Sequence, residues 1–128
     1  SDADVGKLEE LQRRGERFLA ENRVEDYQEY NTRFHEAFPE LSGSELLGQM
    51  MRQIQTRIHL VEVSTASIPG IREHATREHA EMIDLVERRD AEGAAAGMAR
   101  HINRAKRAYR EHYQNVMDGE RNAEANPV

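Results

Sequence analysis

Four side chains on three stretches of the chain are of types that bind metal ions: Asn31, His35, His79 and His101. Asn31 and His35 are four residues apart, His79 follows His35 by 44 and His101 follows His79 by 22. Residues four apart on a helix stack one turn above each other. Asn31 and His35 therefore share a face, beside Tyr27, Tyr30, Phe34 and Phe38. His79 falls four after Ala75 and three before Met82, and His101 three after Met98 and four before Ala105. Each histidine thus lies within an apolar stripe. Neutral imidazole is a ligand for zinc, nickel, copper or iron, and helices of a bundle can aim several at one point. The competing reading is three core histidines, each hydrogen-bonded to a carbonyl. Burying three polar rings without a shared purpose is costly, but spacing alone leaves both readings open. The other histidines rank lower. His59 rotates off its stripe and reads as solvated, His74 sits at a rim, and His112 reads as solvated or packed.

The elements that must carry these residues are helical almost throughout. Leu8, Leu11, Phe18 and Leu19 recur at helical spacing between Lys7 and Glu21. Asn22 with Glu25 resembles a capping box for a second helix, which should stop near Pro39 because proline lacks a donor and restricts its predecessor. Ser42 with Glu45 is a similar start, followed by the stripe Leu46, Leu47, Met50, Met51, Ile54, Ile58 and Val61. Ser67-Ile68-Pro69-Gly70 reads as a break before a fourth helix with Ile71, Ala75, Met82, Ile83 and Val86. Asp90 is the expected N-cap of a fifth, with Ala94, Ala95, Met98, Ile102, Ala105, Tyr109 and Val116 inward and a stop at Gly119. Ala94-Ala95-Ala96 offers small side chains for a close helix approach. No strand-like alternation remains. The expected fold is an all-α antiparallel bundle of five to six helices with a central metal or ligand cavity, over residues 1–119, and a polar tail over 120–128.

Composition excludes several function classes. The chain has 128 residues, which suits one domain. Mean hydropathy of −0.89 and the absence of a long apolar run argue against a transmembrane helix. With no cysteine, disulfides, thiolate metal sites and cysteine nucleophiles are excluded. The charge of −6 argues against this chain gripping DNA or an anionic membrane by itself. A cytoplasmic domain is the expectation, and any metal site must be built from histidine and oxygen.

Several of these stretches resemble a known family. Tyr30-Asn31-Thr32-Arg33-Phe34-His35, Leu41-Ser42-Gly43-Ser44, Arg57-Ile58, Glu78-His79, Asp90-Ala91 and Met98-Ala99-Arg100-His101-Ile102 are similar, in that order, to the FCD domain. That is the effector-binding domain of FadR-type regulators in the GntR superfamily. The resemblance covers roughly residues 27–109. It implies an all-α bundle holding a divalent metal beneath a small-molecule cavity, with Asn31, His35, His79 and His101 at the ligand positions. Zinc leads, with nickel, manganese or iron as alternatives. It further implies a small carboxylate effector, a homodimer, and DNA contact only through an N-terminal winged-helix domain that this chain lacks. The family's usual first helix reads as missing or shortened. Asn31 stands where the family has an aspartate and Ser44 where asparagine is common, and Pro39 is unusual in its turn.

A three-histidine site with one neutral amide leaves most of a metal's charge uncompensated, which would draw an anion to its open positions. Arg57, with Gln53 on the same side of the third helix, is a candidate clamp for a carboxylate, with a surface ion pair as its competing role. Tyr27 and Tyr30 are candidates for the pocket lining, although aromatics at this spacing usually pack in a core. Two other classes stay open. A metal-dependent enzyme would need a general base near the ion, and no motif supplies one: Glu78 is nearest, but rotates away from His79's face. A structural dimerisation module would need no metal at all.

Overall fold

The computed structural model describes the backbone of residues 1–42 and 45–125; side chains at 42, 47, 48, 51, 54–56, 58 and 122–125 lie outside the description. It contains five helices: α1 (Asp2–Ala20), α2 (Val24–Ser42), α3 (Glu45–Thr65), α4 (Ile71–Glu87) and α5 (Ala91–Ala125). Among the described residues there is no strand, as the periodicity predicts. The packing runs in a ring: α1 lies against α2 and α4, α3 against α2 and α5, and α4 against α5. A ring of five directs one face of every helix toward a common centre.

The core is Leu8, Phe18, Tyr27, Tyr30, Phe34, Met82 and Ile83, drawn from α1, α2 and α4. Fully burying one such apolar side chain contributes about 1.5–3 kcal/mol, so these few residues fix how the three helices meet. Gly15 and Gly97 permit close approach. A Cβ at Gly15 would overlap the Tyr30 ring, and one at Gly97 would press on Met82. The close approach of α4 and α5 thus falls at Gly97, whereas Ala95 and Ala96 are exposed.

Several expected helix ends fall elsewhere. Asn22 does not open α2; it closes α1. It adopts a left-handed backbone, φ 52°, its N–H donates to Leu19 and that of Arg23 to Phe18, the pattern of a Schellman cap. Pro39 does not end α2, which continues to Ser42. Proline's fixed φ suits a helix, and continuing the helix past it brings Leu41 against the core beside Phe38, which offsets one missing donor. Gly119 does not end α5, which runs to Ala125 because a glycine with helical φ costs only about 1 kcal/mol relative to alanine. Asp90 does cap α5, accepting from the Gly93 N–H at 2.8 Å.

The outer parts of two stripes are not inward. Leu46, Met50, Ile102 and Val116 are exposed; among the described residues of α3 the buried and half-buried positions are Val61, Glu62 and Thr65, at its C-terminal end. The expected cap Ser42, the family position Ser44, and the stripe positions Leu47, Met51, Ile54 and Ile58 lie outside the described side chains, while α3 opens at Glu45. No described helix is long and apolar enough to cross a membrane.

Candidate metal centre

The centre of the ring is where the histidines meet. α2 supplies His35, α4 His79 and α5 His101, all buried, and His79 has no exposed surface. His101 Nε2 lies 3.3 Å from His79 Nε2 and 3.3 Å from His35 Nε2. Ligand nitrogens about 2.1 Å from a tetrahedral ion stand about 3.4 Å apart. His101 Nε2 therefore already stands at coordination-sphere spacing from both other nitrogens, and all three lie within 4.8 Å of one another.

The outer nitrogens decide where the protons are. Gln12 on α1 donates through Nε2 to the Thr76 carbonyl at 3.0 Å, which fixes its amide with Oε1 as acceptor. Tyr30 donates its hydroxyl hydrogen to that Oε1 at 2.8 Å, so its oxygen accepts from His79 Nδ1–H, also at 2.8 Å. Burial pushes the Tyr30 hydroxyl well above its ordinary pKa, which keeps it a donor. His101 Nδ1–H donates to Glu78 Oε2 at 2.6 Å. Burial alone would raise Glu78, but hydrogen bonds from Arg104 and His101 outweigh it and hold the carboxyl at about 2. Arg104 grips both oxygens, Nε donating to Oε1 at 2.8 Å.

Both Nδ1 atoms thus carry hydrogen, so in the neutral rings the Nε2 lone pairs of His79 and His101 face each other with no proton between them. The rings do remain neutral. Burial lowers all three, His35 to about 3 with His101 adding repulsion, His79 well below its ordinary value, and His101 in the same direction although Glu78 opposes it. Opposed lone pairs in a buried site are unfavourable unless a cation lies among them, so the donor set fits a divalent metal. Phe34 supports the arrangement from behind, stacked on His79 with ring centroids 3.9 Å apart.

Asn31, one turn before His35, is buried, and its Oδ1 has no hydrogen-bond partner. Tyr30 touches the cluster through His79, whereas Tyr27 turns its hydroxyl to Thr76 and the Arg72 carbonyl, clipping α2 to α4. Gln53 and Arg57 are exposed on α3. His59 and His74 are about half exposed, as expected of solvated and rim positions.

Sequence reasoning missed three residues. Gln12 reaches the cluster through Tyr30, and Glu78, set aside in the sequence as rotated off His79's face, holds the outer nitrogen of His101; no spacing rule reports either role. Glu62 on α3 is the third: its side chain is 14% exposed, Oε1 is 3.8 Å from His35 Nε2, and neither oxygen has a hydrogen-bond partner. Burial raises it to about 7, only partly offset by the nearby Thr32 and Asn31 side chains, which stand outside good hydrogen-bond geometry.

Fold and cluster together define a class: an all-α domain that gathers imidazoles from three helices at its centre. The chain belongs to the FCD domain family, whose model matches residues 1–104, a span that contains Asn31 and all three clustered histidines. The family places it among the effector-binding domains of GntR-type transcription regulators, and FCD domains are known to bind metals. No curated protein and no solved structure gives a significant match to the chain.

Proposed function

We propose that this domain is the sensor of a GntR/FadR-type regulator, binding a divalent ion through His35, His79 and His101 and, on that ion, a small organic acid. The observation that carries the reading is the convergence of three neutral Nε2 atoms, two with their hydrogens committed elsewhere. Zinc is the leading ion, because the buried site is rich in nitrogen donors and zinc can expand beyond four ligands to take up the acid. Asn31 Oδ1 is the neutral fourth donor. The ion, when bound, supplies positive charge for a carboxylate. The chain's own part is to hold the rings neutral, aim them and exclude water. Arg57 and Gln53 are assigned to the outer end of the acid, and occupancy is read out through an attached winged-helix domain in a dimer.

A sensor is favoured over a catalyst because the acids near the cluster are engaged or orphaned, not poised over a substrate. Glu78 is locked between Arg104 and His101.

The test is elemental analysis with calorimetry. Protein purified without chelators should hold close to one divalent ion per chain, and should bind an unaltered carboxylic acid saturably only while the ion is present. A metal-free preparation that cannot be loaded removes the reading, and turnover of the acid transfers it to the enzyme class. Arg57→Ala should weaken acid binding while leaving metal content unchanged.

A further inference from the structure

We propose that Glu62 is the anionic ligand of the same ion, supplying from α3 the charge that Asn31 lacks; the proposal rests on the metal reading above. Two separate observations point to it. The first is position: Glu62 Oε1 stands 3.8 Å from His35 Nε2, within about half an ångström of the separation of neighbouring ligands on one ion. The second is that both carboxylate oxygens are buried without a hydrogen-bond partner. No arginine or lysine pairs with Glu62 among the described residues. The ionisable nitrogens beside it belong to His35, which is neutral, and to the half-exposed His59 at 4.0 Å, while the Thr32 and Asn31 side chains nearby carry no charge. A buried carboxylate without a cation is among the costliest groups a core can hold. The orphaned Asn31 Oδ1 lies in the same part of the molecule. A divalent cation among His35, His79, His101, Asn31 and Glu62 would satisfy both orphans and the facing imidazole lone pairs together.

The charges agree with this assignment. Three imidazoles and an amide bring no negative charge, so without Glu62 a divalent ion would keep its full 2+ in a dry interior. With Glu62 it keeps one positive charge. α3, like α1, otherwise brings no described ligand to the centre. Through Glu62, ion binding would join α3 to the three helices that carry the histidines.

The experiment uses the whole 128-residue chain. Zinc affinity is measured by competition with a chromophoric chelator, and the visible absorption of the cobalt(II) form reports the donor set. Loss of an outer-shell partner usually weakens metal binding by roughly 10–100-fold. Glu62→Gln should exceed that, on the order of 100-fold or more, and should alter the cobalt spectrum. Adding Asn31→Asp to Glu62→Gln should recover most of the affinity, because it returns a carboxylate to the same ion. If Glu62→Gln does not fold in chelator, Glu62→Asp carries the test, keeping the charge but shortening the arm, with a smaller loss and again an altered spectrum. A Glu62 variant with an unchanged cobalt spectrum overturns the proposal whatever its affinity. That result leaves the three-histidine site standing, whereas wild-type protein that binds no metal removes both readings.

Discussion

At the scale of the residue, each imidazole is aimed by what its outer nitrogen touches. Tyr30 and Glu78 hold His79 and His101 in the tautomer that turns Nε2 to the centre. Tyr30→Phe and Glu78→Gln should therefore each weaken zinc binding by roughly 10–100-fold without altering the helical circular dichroism. Equal affinity in both variants would show that the rings are positioned by packing alone. Acidity gives a second handle. His35 is held at about 3 in the fold against 6.5 ordinarily, so its contribution is complete above pH 6.5 and is lost as the pH falls toward 3. His79 and His101 act in the same direction. Glu78, at about 2 rather than 4.5, adds a loss below pH 4.5. Glu62 has the opposite sign: raised from 4.5 to about 7, its penalty is full above pH 7 and disappears toward 4.5. Three histidines outweigh one glutamate. The melting temperature of chelated protein should fall below pH 6.5 and drop faster below 4.5; calorimetry showing a flat profile from pH 7 to 4.5 would contradict neutral buried rings.

At the scale of the element, the helices were legible and their ends were not. Apolar spacing of 3.6 located all five, because that period reflects burial of one face, which the ring then provides. The ends depended on local backbone choices. Asn22 and Arg89 both adopt positive φ, at 52° and 59°, and both close helices from positions where sequence rules look first for glycine. Pro39 and Gly119 failed as stops because packing and helical geometry outweighed modest local costs. The contact of α1 with α2 yields a prediction of diagnostic sign. Gly→Ala inside a helix ordinarily stabilises by up to about 1 kcal/mol. At Gly15 the new Cβ would overlap the Tyr30 ring, which hydrogen bonds to Gln12 and His79 hold in place. Gly15→Ala should instead destabilise by about 1–3 kcal/mol, as overpacked sites do, and denaturant titration should show it. A stabilised variant would mean that Tyr30 is free to move.

At the scale of the whole molecule, the ring makes metal binding a property of the assembly. His35, His79 and His101 come from α2, α4 and α5, so an unfolded chain offers the ion no comparable site. An ion at a hundred times its Kd then adds about 2.7 kcal/mol to stability. For a domain of this size that raises Tm by roughly 10 °C, reversed by chelator. Differential scanning fluorimetry with and without zinc checks this, and no shift at saturating zinc would mean that the site does not bridge the helices. Family membership extends over residues 1–104, so the sensor reading covers the part of the molecule that builds the ring, while the last turns of α5 run beyond the match.

The sequence by itself determined the all-α class, the histidine-and-oxygen character of any metal site, and the identity of His35, His79 and His101. Those follow from composition and from a period that is a property of single helices. Tertiary structure alone decided that His101 meets both His35 and His79 at 3.3 Å, that Gln12, Tyr30 and Glu78 set the protons of His79 and His101, and that Glu62 is buried beside them. Helical periodicity says which face of a helix is inward. It does not say which inward residue of one helix meets which of another, because crossing and register arise only when all five helices pack together.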